Sequence, residues 1–277
     1  LRLGYDLSLG ARSINDSVSA GGVIGAANDT WRFNLLGAYE EGDNSDYGDG
    51  TIGGTAFERS VYGLSTGVKT SFGDFGLDLR RQNTGPSGNP PFPMDIQYFD
   101  TDFARLTYTA QIGSAALEAS VHYTDVAHLM DNYSLRPSSG MMAERASHAD
   151  AMTRGADIAL AFAQAGGELK IGLDAEESDH DVMIINPNNA GFVVTPFPDI
   201  TLRRTGVFAE WTGPVGPFQS EIGVRIDRGA VLDTGGERSF MACDAGAQAD
   251  NARLYPALWL ASDQCQRRAG RWQHLCR

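Results

Sequence analysis

The chain has 277 residues, with 35 acidic and 22 basic side chains and a formal net charge of −13. This acidic balance argues against a nucleic-acid partner, because phosphate binding needs a basic face and none appears. No apolar run approaches the ~20 residues of a membrane-spanning helix, which leaves soluble domains and β-barrels, whose strands need only ~10 alternating residues. The strand-like pattern begins at Leu1 without a secretory signal, so we interpret the chain as a piece of a longer protein.

Alternation of apolar and polar residues is the dominant pattern along the chain. In the first ten residues, Leu1, Leu3 and Tyr5 share one parity, while Arg2 and Asp6 share the other. Such segments predict strands with one apolar and one polar face, and we count about eleven of them before residue 242. The clearest lie at 1–10, 32–40, 75–80, 104–112, 117–124, 169–174 and 221–227.

The connections between these segments alternate in length. Short ones lie at 28–29, 72–74, 113–114, 165–167 and 213–217, and long ones rich in Gly, Asp, Asn, Ser and Pro at 41–57, 84–97, 126–152, 177–200 and from 230 onward. Tight turns at one end and long loops at the other are typical of outer-membrane barrels, whereas a soluble β-sandwich does not require this alternation. Aromatic residues near strand ends fit the membrane interfaces, although core packing explains them equally well.

The predicted fold class is therefore all-β, an antiparallel transmembrane β-barrel that is incomplete, with roughly 11 strands of a larger barrel. Open sheet edges are not tolerated in lipid, because unpaired backbone groups cannot reach water there. We therefore expect the chain to need further strands before it forms a stable pore.

Two regions are predicted from the change in composition near the end. Residues 1–241 form the partial barrel with its long extracellular loops, and 242–277 form an atypical tail that contains Cys243, Cys265 and Cys276. Because no tight C-x-x-C spacing is present, we favour a terminal appendage, disordered or out of frame, over a zinc or disulfide site.

The segment "VHYTDVAHLMDNYSLRP" (121–137) carries the main candidate site. If its strand continues past Asp125, then His122, His128 and Met130 share the polar parity, which faces the lumen of a barrel. Thioether sulfur and neutral imidazole together favour copper, especially Cu(I), over hard ions such as Mg²⁺. The alternative is that Met130 packs against its neighbours and His128 is a surface histidine.

The loop that follows could supply further ligands or an entry path. Met141, Met142 and His148 are the candidates, with Met152 nearby. An acidic cluster spans 176–181 and could attract cations by its field, although such a cluster is more often a solvated face. No nucleophile, base and orienting group are suitably spaced, and no G-x-S-x-G motif is present, so an enzyme is not expected.

Several stretches resemble TonB-dependent copper receptors of the bacterial outer membrane. The most specific are "NPPFPMDIQYFDTDFARL" (89–106) and "HYTDVAHLMDNYSLRP" (122–137), with further similarity in "GDNSDYGDGTIGGTAFERSVYG" (42–63) and "EIGVRIDRG" (221–229). The resemblance covers about 1–241. It implies a location in the outer-membrane lipid and copper import by the complete receptor, powered by the TonB energy complex through an N-terminal plug.

In that family a barrel H-x-M pair joins a cysteine and a methionine of the N-terminal region to hold copper, and the pair matches His128 and Met130. This sequence has no counterpart of the plug or of its energy-coupling box. About half of a barrel of roughly twenty-two strands also has no counterpart in it. The rival functions are a passive cation-selective, porin-like barrel, a non-functional truncated receptor product, and a soluble β-sandwich binder.

Overall fold

The computed structural model describes residues 1–136 and 143–233, and all structural statements concern these residues. Met141, Met142, the three cysteines and the predicted boundary after residue 241 lie outside them. None of the described residues belongs to a helix that could cross a membrane.

Thirteen strands are found among the described residues, and eleven of them form one antiparallel sheet in chain order. The strands of this sheet are β1 (Arg2–Arg12), β2 (Ser17–Ala27), β3 (Trp31–Gly42), β6 (Phe57–Thr70), β7 (Gly73–Thr84), β8 (Asp95–Ile112), β9 (Ala115–Asp131), β10 (Ala146–Gln164), β11 (Gly167–Asn186), β12 (Asn189–Val215) and β13 (Phe218–Asp233). The short strands β4 (Ser45–Tyr47) and β5 (Gly50–Ile52) pair with each other in the connection before β6.

The sheet is not closed, because β1 and β13 each have a single neighbour among the described residues. The all-β class, the antiparallel pairing and the count of about eleven strands are thereby confirmed. Each strand pairs with the strands before and after it in sequence, which is the up-and-down order that hairpins joined in series produce.

The two faces of the sheet differ in polarity over its whole width. On β9, Leu117, Ala119, Val121 and Tyr123 point to one side, and in the barrels of the outer membrane such an apolar face contacts lipid. We call it the outward face and the polar side the lumen face. The outward apolar residues form a band, here called the apolar band, that covers Ala104–Ile112, Ala115–Tyr123, Ala156–Phe162, Leu169–Ala175, Val207–Trp211 and Ile222–Ile226.

Tight turns join the strands at one end of the sheet. At Gly113 and Gly216 the backbone has φ of 64° and 62°, a left-handed conformation that glycine adopts without steric cost. The opposite end carries the long connections, and we call the strand ends and loops beyond the apolar band on that side the rim.

Two of the predicted long loops are shorter in the structure. Strand β9 continues to Asp131 and β10 begins at Ala146, so 126–131 and 146–152 of the predicted loop at 126–152 belong to strands. The loop predicted at 177–200 is wrong, since β11 and β12 extend through it and meet in a tight turn after Asn186. Charged residues on the outward face above the apolar band broke the alternation and made these strands look like loops.

Candidate metal site

Strand β9 positions the predicted ligands. Its register with β10 is unbroken up to Asp131, with His128 opposite Ala149 and Met130 opposite Ser147. Since side chains alternate along a strand, both point to the lumen face together with His122. The two candidate ligands are therefore neighbours on one face of one strand.

The pair lies on the rim, beyond the membrane-spanning part of the strand. The apolar band of β9 ends at Tyr123, and Asp125 is the next outward residue. At ~3.3 Å per residue and a tilt of ~40°, His128 lies roughly 12 Å above Tyr123 along the barrel axis. A metal ion arriving from the long-loop side would meet this pair before the membrane-level lumen.

The imidazole of His128 has one unsatisfied nitrogen. Its ring packs against Phe99 of β8 with centroids 4.7 Å apart, and its buried Nε2 has no hydrogen-bond partner among the described residues. Burial lowers the pKa of His128, which keeps the ring neutral at physiological pH. A neutral imidazole with a free nitrogen is the form that binds a metal ion.

The neighbours of Met130 on the adjacent strands are Ser147 of β10 and Ile96 of β8. Strand β8 contains a bulge between Ile96 and Tyr98, where Gln97 is the extra residue. This bulge lies on the neighbouring strand and leaves the alternation of β9 intact.

His148 does not join the pair. It lies opposite Leu129 and Met183 on the outward parity of β10, so the sheet separates it from His128. Within the described ranges, no group of three or more His, Cys, Asp or Glu side chains could hold a metal ion. The pair thus supplies two ligands, and further ligands would have to come from elsewhere.

A buried ion pair that sequence reasoning missed secures the strand ends beside Met130. Asp95, at 0% exposure, accepts hydrogen bonds from Nε and Nη2 of Arg136 at 2.6 and 2.5 Å. The backbone N–H of Asn89 also donates to Asp95, at 2.7 Å, and Arg136 donates to the carbonyl of Asn89 at 2.7 Å. This network ties the loop after β9 to the start of β8.

The acidic cluster at 176–181 is divided between the two faces. Glu176 faces the lumen, where one of its oxygens lies 3.8 Å from Nε2 of His122, and Glu177 faces outward between two arginines. Glu118, which is not part of this cluster, also lies on the lumen face, where it accepts a hydrogen bond from Lys170 at 2.6 Å. The cluster is therefore not a single cation-attracting surface.

Solved structures with the same architecture were found by comparison. The chain is 22% identical to the copper transporter OprC, with a TM-score of 0.70 over 83% of this chain and 38% of that one. The FrpB iron transporter from Neisseria meningitidis (F3-3 variant) is 16% identical, with a TM-score of 0.61 over 85% of this chain and 41% of that one.

A structure of P. aeruginosa FpvA bound to heterologous pyoverdines is 14% identical, with a TM-score of 0.61 over 83% of this chain and 38% of that one. The fold is that of a TonB-dependent receptor barrel. The chain spans about two fifths of the length of these proteins. No family model and no curated protein sequence matches it.

The receptor-barrel fold supports the predicted location in the bacterial outer membrane, since the structural neighbours are outer-membrane transporters and receptors. In this setting the apolar band lies in the hydrocarbon, and the rim lies outside the cell. His128 and Met130 lie on the lumen face at the rim.

Proposed function

We propose that this chain forms the part of an outer-membrane receptor barrel that captures copper as its transported substrate, through His128 and Met130. The observation that carries the proposal is the free, buried Nε2 of His128 on the same face of β9 as Met130. The structural similarity to a copper transporter points to the same cargo.

The chemistry of the pair supports copper over iron. One imidazole and one thioether form a soft donor set, which suits Cu(I), whereas Fe³⁺ and other hard ions prefer oxygen ligands. Burial also favours the neutral imidazole, so proton competition for Nε2 is weak at neutral pH. The sulfur of Met130 carries no proton to lose, and its affinity is therefore insensitive to pH.

Two protein ligands leave the coordination of copper incomplete. The remaining ligands would come from parts of the receptor beyond the described residues, and the proposed partner for uptake is the TonB energy complex acting on a plug. A half-site with two protein ligands suits a transporter, because the ion must be released once the other ligands move away.

The test is the copper content of the complete receptor, purified in detergent under reducing conditions. We expect about one Cu(I) per chain in the wild type, and loss of most of it in both Met130→Ala and His128→Ala. His148→Ala is the matched control, because this histidine lies 20 residues further along on the opposite face of the sheet and should leave the copper content unchanged.

Equal copper in the wild type and both site variants would contradict the proposal, and so would a wild type without copper. Either result would favour a passive barrel that admits cations through its charged lumen. Retention of copper in Met130→Ala together with its loss in His148→Ala would place the site on the other face of β10.

A further inference from the structure

The outward face changes character abruptly at the top of the apolar band on strands β10 to β13. Ala156, Ala175 and Ile226 are outward residues of the band. The next outward residues toward the rim are charged. They are Arg154 on β10, Glu177 on β11 and Arg228 on β13, and on β12 Arg203 is the outward residue that follows Thr205.

These four side chains form one patch, here called the arginine patch. Glu177 lies directly opposite Arg154 on one side and Arg203 on the other in the strand registers. It accepts hydrogen bonds from Nε of Arg154 at 3.2 Å and from Nε of Arg203 at 3.0 Å. Arg228 lies opposite Thr205, diagonally next to Arg203.

Within the patch three guanidiniums face one carboxylate, and Asp179, the next outward residue of β11 toward the rim, adds a second negative charge near Arg154. The carboxylate of Glu177 forms ion pairs with both Arg154 and Arg203. Arg228 has no hydrogen-bond or ion-pair partner among the described residues. The side chains of Arg154 and Arg203 are 60% and 51% exposed, whereas that of Glu177 is 14% exposed. The carboxylate thus holds two guanidiniums in place, and their remaining N–H groups face outward.

The position of the patch along the barrel axis indicates which part of the membrane it contacts. Since the band below it lies among acyl chains, the patch lies at the headgroups of the outer leaflet. Guanidinium groups present a planar fork of donors that matches phosphate oxygens in pairs. Two guanidiniums held by Glu177, with Arg228 diagonally next to them, suit a phosphorylated headgroup better than a neutral one.

The same level on β8 and β9 has the opposite charge. Asp102 and Asp125 face each other there on the outward side, with Arg81 hydrogen-bonded to Asp102 at 2.9 Å. A phosphate would be repelled at that level of β8 and β9. The complementarity to an anion is therefore confined to strands β10 to β13.

We propose that Arg154, Arg203 and Arg228 bind a phosphorylated lipid headgroup of the outer leaflet, with Glu177 orienting the first two. The occupant is a lipid and not a free phosphate ion, because the apolar residues directly beneath the patch would bind its acyl chains. This surface is separate from the lumen and does not depend on copper binding.

The experiment uses the complete receptor in detergent and measures lipid binding by native mass spectrometry. The probes are diphosphorylated lipid A, the same lipid with both phosphates removed, and inorganic phosphate as a competitor. We expect the diphosphorylated lipid to bind at least about tenfold more tightly than the dephosphorylated one. Millimolar inorganic phosphate should not displace it.

The variant is Arg154→Gln/Arg203→Gln/Arg228→Gln, which should lose that preference for phosphorylated lipid. Arg228→Gln alone breaks no ion pair and should weaken binding in part, which provides a result even if the triple variant misfolds. The control is Arg80→Gln, because Arg80 is similarly exposed, pairs with Asp78 and lies on the lumen face. Equal binding of the two lipids, equal binding by the triple variant and Arg80→Gln, or displacement by inorganic phosphate would overturn the proposal.

Discussion

The apolar band and the rim are built on opposite principles although the same strands form both. In the band the large apolar side chains lie on the outside, as with Leu173 at 53% exposure. On the rim the two most buried side chains are polar, namely those of Asp95 and Ser87. The band depends on its backbone ladder and on lipid as its solvent, whereas the rim depends on specific polar contacts made in water.

Breaking the buried ion pair of the rim should have the largest effect. Asp95→Ala removes the partner of Arg136, whose side chain is 28% exposed, and leaves a guanidinium without its carboxylate. Breaking a buried pair from one side costs about 3 kcal/mol. We expect this loss to appear as faster proteolysis of the segments 85–94 and 132–136, with little change in the resistance of the membrane-spanning strands to unfolding.

Lowering the pH provides an internal control for Asp95→Ala. Burial raises the pKa of Asp95, but the hydrogen bonds from Arg136 and from the backbone of Asn89 outweigh it, so the pKa is lowered overall. The contribution of a carboxylate with a lowered pKa is complete above its unfolded value of about 4 and is lost as the pH falls through the folded value. The proteolysis rates of wild type and Asp95→Ala should therefore differ at pH 7 and converge in strong acid, and a constant difference would contradict this assignment.

The band could be predicted from the sequence, and most of the rim could not. Alternation within one strand, as in Leu117 to Tyr123, is local information and is sufficient to assign both faces. The Asp95–Arg136 pair joins residues 41 positions apart, and no local pattern marks it. For the same reason the parity of His128 and Met130 could be predicted, whereas the free Nε2 of His128 and the bulge at Gln97 required the structure.

A charge introduced into the band should have the next largest effect. Leu173 lies opposite Ile158, near the middle of the band. In Leu173→Arg the guanidinium enters the hydrocarbon, at a cost of about 2–4 kcal/mol. Val18→Arg is the matched control, because Val18 is also on the outward face, is 46% exposed and lies at the rim end of β2, opposite Ala11 and Glu41, where the cost falls to about 0–1 kcal/mol.

The stability of both variants is measured by urea titration of the complete receptor in lipid vesicles. Tryptophan fluorescence reports the unfolding. A similar loss of stability in Leu173→Arg and Val18→Arg would show that the upper boundary of the apolar band is misplaced. That result would also mean that the arginine patch does not lie at the headgroups, because its position is inferred from the same boundary.

The smallest effect is expected for Glu177→Gln. Like Asp95, Glu177 accepts hydrogen bonds from arginine side chains, but its partners Arg154 and Arg203 are more than half exposed. Water therefore replaces the lost contacts, and exposed ion pairs contribute little to stability. We expect no measurable change in unfolding. Removing this carboxylate also raises the net positive charge of the patch, so the phosphorylated lipid should bind at least as tightly as it does to the wild type. A loss of stability comparable to that of Asp95→Ala would mean that this pair is shielded from water by the surrounding lipid, and the contrast between a buried rim pair and an exposed outward pair would no longer hold.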